Sequence, residues 1–337
     1  MTKFRIAVSG AGGGVGQSII KSLQNTDYEV VALDGEPLAA GLYASKKSYI
    51  IPYSNQPDYI EKVIEICKAE GCTIMFPGLD AELPVLTKNR DKFKAAGITV
   101  VVSSEEVVEI GNNKMVTFTE LMKHGVNVPV TIDLNTTDVN EIDLEYPYVL
   151  KEREGGARSQ NLYIVKSEVE LQNLINRGTD LTQYIAQEYI EGDEYTCGSI
   201  SLGGECKGVI VMRRILRDGD TYKAFSVRDE FIESEVRKAV EAIKPFGGCN
   251  VQLRVKGGKV YVFEINARCS GTTASRTLCG FNEPKMIADY ITQDIEPSYT
   301  IQELSILRYW KELVVPNELI ESMKSNKSLS IENPTQL

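Results

Sequence analysis

Apolar residues recur along this chain with two different periods, and the change from one to the other divides it. Residues 4–9, 29–33, 73–76 and 99–102 are short apolar runs of strand length. Between them Ile19, Ile20 and Leu23, and then Ile60, Val63, Ile64 and Cys67, repeat at helical spacing. Strands alternating with helices predict a doubly wound parallel sheet over about residues 1–105. From about Asn112 the pattern alters. Residues 114–124 read as a helix stopped by Gly125, and 131–143 (TIDLNTTDVNEID) as a polar surface turn and helix cap. Strands are expected at 148–152, 163–165, 184–190, 194–202 and 206–213, with helices at 167–177 and 234–245. Strands at 250–255 and 259–266, joined by Lys256-Gly257-Gly258, read as a hairpin. This second half is predicted to be an antiparallel α+β unit. The polar end, SNKSLSIENPTQL, is expected to be poorly ordered.

Composition narrows the chemistry. The 337 residues are 42% hydrophobic and 25% charged, as in an ordinary globular protein. The net charge of −10 argues against a nucleic-acid partner, because such affinity comes mostly from Lys and Arg on phosphates. The sequence has no polybasic membrane patch and no apolar stretch of the ~20 residues that a membrane helix needs. His124 is the only histidine, so a multi-histidine zinc site is impossible and a Ser-His or Cys-His mechanism would have to use it. It is expected on a helix surface near the C-terminal end. The seven cysteines, Cys67, Cys72, Cys197, Cys206, Cys249, Cys269 and Cys279, include no C-x-x-C pair and read as reduced thiols of a cytoplasmic protein. The first apolar run is too short for a signal peptide.

Two constellations carry chemistry. Gly10, Gly14 and Gly16 follow a strand and precede a helix, with Asp34 ending the next strand. That is either a nicotinamide-binding turn or simply a tight strand-to-helix turn. Near the other end, Glu264 and Asn266 lie two residues apart on one strand, on the same face, with Gln252 on the partner strand and Arg268 one step further. One carboxylate with two amide oxygens suits magnesium, and the neighbouring arginine suits a phosphoryl group. Between them Lys151 ends a strand and a glycine loop follows it, Lys114 opens a helix, and 186–194 (AQEYIEGDE) sets a strand edge before acidic residues.

Taken in order, Lys114, Lys151 with its glycine loop, QEYIEGDEY, NVQL and FEINARCSGTT resemble the ATP-grasp superfamily over about residues 1–295. The last two motifs look closest to the synthetase halves of the carbamoyl phosphate synthase large subunit. The resemblance implies an α/β and α+β protein: a Rossmann-like parallel-sheet domain at 1–108, then an ATP-grasp fold at 109–298. That fold would hold a central lid at about 114–188 and a C-terminal sheet at about 189–298, followed by a partly disordered extension at 299–337. It implies that Gln252, Glu264 and Asn266 bind two magnesium ions, for which manganese may substitute, and that Arg268 stabilises the phosphoryl group. Lys114 and Lys151, with Gly155, Gly156 and Ser159 of the loop, would meet the phosphates of ATP. Gln187, Glu188 and Ile190 would lie at the adenine, and Glu194 or else Glu191 at the ribose. PGLDAEL (77–83) is also typical of the family's first domain.

The departures matter as well. Lysines stand at 114 and 151 where carbamoyl phosphate synthase has arginines, there is one synthetase unit, and no glutamine-hydrolysing domain is present. They favour a stand-alone ligase joining a small-molecule carboxylate to an amine, as a possible homodimer, with no nucleic acid and no membrane. Arg213, Arg214 and Arg217 are candidates for the carboxylate, and Asp80 and Glu82 for the amine. The competing readings are an NAD(P)-dependent oxidoreductase built on the first glycine turn and an ATP-binding regulator without turnover.

Overall fold

A computed structural model describes residues 4–155 and 161–337. In the first domain β1 (Phe4–Val8), β2 (Tyr28–Asp34), β3 (Lys47–Ile50), β4 (Cys72–Phe76) and β5 (Thr99–Val100) form a parallel sheet in the order β3-β2-β1-β4-β5. In β1, Ile6, Ala7 and Val8 are all fully buried, as expected of a central parallel strand covered on both faces. Asp34 and the helix Gly14–Leu23 sit at the carboxyl ends of these strands, where open α/β sheets place their sites.

A small antiparallel sheet follows, made of β6 (Thr131–Asp133), β7 (Tyr148–Glu152), β8 (Tyr163–Val165) and β9 (Tyr184–Glu188) in the order β6-β9-β7-β8. The third sheet contains β10 (Asp193–Leu202), β11 (Glu205–Arg217), β12 (Asp220–Val227), β13 (Gly247–Lys256), β14 (Lys259–Asn266) and β15 (Ser305–Leu307), in the order β14-β13-β10-β11-β12-β15. The expected hairpin is β13–β14. Gly257 and Gly258 have φ of 56° and 73°, the left-handed pair that a two-residue type I′ turn requires.

Several details differ from the sequence reading. The stretch 131–143, read as a turn, contributes β6 before it turns, and β12 was not foreseen although Thr221, Ala224 and Ser226 are buried in partial alternation. The helix expected at 234–245 is Glu230–Ile243, because Asp229 caps it by accepting from the Ile232 N–H at 3.0 Å. The extension, expected to be partly disordered, supplies β15, the helix Asn317–Asn326 and β16 (Ser328–Ser330), which pairs antiparallel with β3 at the edge of the first sheet.

The cores explain how these parts hold together. One apolar cluster runs from Ile6, Val8 and Phe76 of the first sheet to Ile200, Ile210 and Met212 of the third and to Phe281 and Ile287 beyond it. The first and third sheets therefore share a core. The middle sheet has its own, smaller one, centred on Leu134, Tyr148, Leu150, Leu174 and Tyr184. All seven cysteines are free and buried. Among the described residues no helix is long and apolar enough to cross a membrane.

Candidate active site

Alternation along a strand sends neighbouring side chains to opposite faces. On the third sheet, the face that places Ile200 and Met212 in the shared core carries Thr196 and Arg214 into a cleft of about 610 Å³ between the first and third sheets. In the β13–β14 register Gln252 lies opposite Glu264 and Asn250 opposite Asn266. All four line the cleft, and so do Lys114, Gly155 and Arg268.

Gln252 Nε2 and Asn266 Nδ2 each donate to Glu264 Oε1 at 2.9 Å, so the three side chains converge. Turning either amide over presents its carbonyl oxygen where its N–H now lies. One carboxylate and two amide oxygens on adjacent strands suit a hard divalent cation that completes its shell with phosphate and water. Arg268 Nε and Nη2 bond Asp80 Oδ1 and Oδ2, both at 2.5 Å, across the domain boundary. Burial would lower the Arg268 pKa, but the Asp80 carboxylate more than offsets it and holds it above the ordinary value.

Of the two lysines, which stand on the side of the middle sheet, Lys114 lines the cleft and Lys151 does not. Lys114 is the first residue of the helix Lys114–Lys123, whose start Asn113 caps by accepting from the Met115 and Val116 N–H groups. Its Nζ donates to the Gly155 carbonyl at 2.9 Å, and burial lowers its pKa. Gly155 has φ of 71° and open space around its Cα, so the chain turns there in a way that favours glycine. Lys151, on β7, donates to the Phe263 carbonyl at 3.1 Å and lies against the Phe118 and Phe263 rings. Burial, and secondarily the Lys114 charge, bring it down to about 7, against the pull of Glu264. Gly156 and Ser159 lie outside the described residues.

Other expected site residues lie elsewhere. Gln187, Glu188, Ile190 and Glu194 do not line the cleft. Gln187 Nε2 donates to Thr131 Oγ1 at 2.9 Å, Glu188 Oε2 accepts from the Val130 N–H, and the Ile190 carbonyl accepts from Arg254 Nη1. Glu194, 12% exposed, lies between Arg214 Nη2 at 2.6 Å and Arg254 Nη2 at 2.7 Å. Burial alone would raise its pKa, but the two guanidinium groups hold it below the usual range. Both of its oxygens are thus engaged, while Glu191 is exposed.

Of the three candidate arginines only Arg214 lines the cleft. Arg213 and Arg217 have the opposite parity and lie over the Phe225 and Tyr222 rings. Glu82 also departs from expectation: it is buried in the first domain, where it accepts from Ser9 Oγ, Tyr59 Oη and the Gly78 and Leu79 N–H groups. Asp80 lines the cleft but is paired with Arg268. His124 caps its helix at the surface, as foreseen.

The first glycine turn is ordered for reasons of its own. A Cβ on Gly16 would fall 2.1 Å from the Gly10 carbonyl oxygen, and one on Gly78 2.1 Å from that of Ser9. Asp34 Oδ2 accepts from the Gly12 N–H at 2.7 Å and Oδ1 from the Glu36 N–H. The carboxylate expected to read a nicotinamide ribose therefore closes the turn instead.

Sequence reasoning missed Asn250, Thr196, Thr221 and Arg308 as cleft residues. Asn250 had a signal, because it shares the parity of Gln252 in the motif already noticed. Arg308 had none, since it follows a three-residue strand in a stretch without periodicity.

Comparison with known proteins bears on the same residues. The ATP-grasp domain family matches residues 111–272, and the PylC-like N-terminal domain family matches residues 6–101. The carbamoyl phosphate synthase large chain of Lachnoclostridium phytofermentans is 23% identical over 298 residues, covering 80% of this chain and 27% of that protein. The one from Thermoanaerobacter sp. is 27% identical over 243 residues, covering 64% and 22%. The chain spans about a quarter of the length of these curated relatives. In fold it is similar to N5-carboxyaminoimidazole synthetase from Staphylococcus aureus complexed with ADP, with a TM-score of 0.70, 17% identity, and 89% and 81% of the two chains covered. It is also similar to L-amino acid ligase from Bacillus licheniformis, with a TM-score of 0.67, 18% identity, and 86% and 74% covered.

Proposed function

Residues 111–272 are an ATP-grasp domain, and from that premise we propose that this chain is an ATP- and magnesium-dependent ligase joining a carboxylate to an amine. The observation that carries this reading is the convergence of Gln252, Glu264 and Asn266 beside Arg268, in a cleft that Lys114 also enters. Gln252, Glu264 and Asn266 would hold magnesium, which when bound supplies positive charge against the β- and γ-phosphates. Lys114 and Lys151 would exchange their bonds to the Gly155 and Phe263 carbonyls for bonds to phosphate oxygens.

An oxygen of the substrate carboxylate attacks the γ-phosphorus and ADP leaves, giving an acyl phosphate. Arg268, released from Asp80, would steady the phosphoryl oxygens. The amine then attacks the acyl carbon, the C–O bond to phosphate breaks, inorganic phosphate leaves, and the amine's extra proton passes to solvent. Positioning and charge stabilisation suffice for such a transfer, which agrees with the absence of histidine from the cleft lining.

The nicotinamide alternative is disfavoured by the engagement of Asp34 within its own turn. The seven buried free thiols support a reducing, cytoplasmic setting. The test is ADP release across a matrix of acids and amines, with thermal shift in parallel. Stabilisation by Mg-ATP with acid-dependent ADP release is expected; stabilisation by NADH alone would sink the ligase reading.

A further inference from the structure

The cleft crosses the third sheet strand by strand. Its lining passes from Glu264 and Asn266 on β14, through Gln252 and Asn250 on β13, Thr196 on β10 and Arg214 on β11, to Thr221 on β12. Four interstrand spacings of about 4.8 Å make this path ~19 Å long. On the ligase reading, metal and phosphate chemistry would occupy the first end. At the far end Arg308, bonded to Thr221, closes the lining.

The cations along this path differ in what they already hold. Arg268 is paired with Asp80 and Arg214 with Glu194, while Lys114 lies at the loop carbonyl of Gly155. Arg308 is anchored to β12 by neutral groups: its backbone N–H donates to the Tyr222 carbonyl at 3.2 Å and its Nη1 to the Thr221 carbonyl at 2.9 Å. The main chain is thus paired to β12, and a single guanidinium bond to a backbone carbonyl steadies the side chain without neutralising it. Lys21 and Lys311 add charge of the same sign, and the Lys21 pKa is lowered first by burial and then by Arg308 and Lys311.

We infer that Arg308 is a specificity-determining residue that takes a second carboxylate on the acid to be activated, so that the preferred acids are dicarboxylates. The inference rests on the ligase reading. The first carboxylate would lie toward Arg268 and the second at the end of the cleft remote from the metal set. A guanidinium held at one edge suits fork recognition of a carboxylate. The chain's only tryptophan, Trp310, is two residues away and 90% exposed, so it provides an optical readout at this end.

The test is binding without nucleotide, by calorimetry and by Trp310 fluorescence, of succinate, glutarate, adipate and pimelate against butyrate, valerate, hexanoate and heptanoate. At least one dicarboxylate should bind about tenfold or more tightly than its monocarboxylate counterpart. Arg308→Met should remove that preference, and Arg308→Lys should restore part of it. In ADP release the Met variant should raise KM for the acid while leaving KM for ATP unchanged. Equal binding of mono- and dicarboxylates by the unaltered protein overturns the inference even if the Met variant fails to fold. An undiminished preference in a folded Arg308→Met variant overturns it as well. Arg308-dependent dicarboxylate binding with no ADP release from any acid would instead count against the ligase reading.

Discussion

The first and third sheets and the middle sheet are held together in different ways. The first two share one apolar core, in which Ile6 and Val8 of one sheet and Ile210 and Met212 of the other belong to a single cluster. The middle sheet closes over a separate core and meets the third sheet and its flanking helix through directional bonds. Among these are Lys114 to the Gly155 carbonyl, Lys151 to the Phe263 carbonyl, the Lys114 N–H to the Arg153 carbonyl, and Asn113 to Glu154. Apolar burial is non-directional and survives small displacements, whereas a hydrogen bond is lost within an ångström or so. The proposed metal ligands and Arg268 therefore stand on the continuous body. The two lysines double as the fastening of the smaller unit, and a nucleotide that claims them alters that fastening.

The contrast can be broken at several points. The largest effect is expected at the metal set: Glu264→Ala should lower turnover about a thousandfold, with the melting temperature nearly unchanged, in a steady-state ADP assay beside a thermal scan. Retained turnover would remove the metal assignment. Next come the cores. Phe281→Ala, in the body, should cost about 3–5 kcal/mol and weaken protection throughout the first and third sheets. Leu150→Ala, in the middle sheet, should cost about 2–5 kcal/mol locally, with faster hydrogen exchange confined to that sheet. Exchange that spreads equally from both sites would mean that the units do not open separately.

A smaller effect comes from protons. Lys151 is brought down to about 7 from an ordinary 10.5, and its charged form is the one that attracts phosphate. ATP affinity should fall as pH rises through about 7, with proton uptake on binding above it, measurable by calorimetry in buffers of different ionisation enthalpy. For stability the sign is opposite. Between about 7 and 10.5 the unfolded chain holds a proton that the folded chain has released, so this residue makes stability increase with pH. In Lys151→Met the proton uptake should vanish. The smallest change is expected at Asp80→Asn, which leaves Arg268 in place but weakens its anchor. KM for the acid should shift by a few-fold at most, with the fold intact.

Much of the architecture was legible because it is written in local signals. The parallel sheet followed from apolar runs separated by helical repeats, and the β13–β14 hairpin from two glycines that have left-handed φ in the structure. Placing Glu264 and Asn266 on one face required only the period of a strand. The same rule, applied to Arg213, Arg214 and Arg217, would have separated the middle residue from the other two. What one sequence did not carry was partnership across long separations. Glu194 looks available until Arg214 and Arg254 are seen to engage it, and Glu82 until Tyr59 and Ser9 are found beside it. Arg308 becomes a cleft residue only through β15, a strand too short to announce itself.

The pairing of β16 with β3 bears on how the chain is made. Three residues, Ser328–Ser330, close the outer edge of a sheet whose other strands are all complete by Val100. During synthesis that edge waits, with β3 unpaired on one side, until more than two hundred further residues have left the ribosome. An uncovered strand edge is a template for pairing with another chain. The nascent protein is therefore most exposed to mispairing in its earliest domain, and a stop codon only a few residues before Ser328 would leave that exposure permanent.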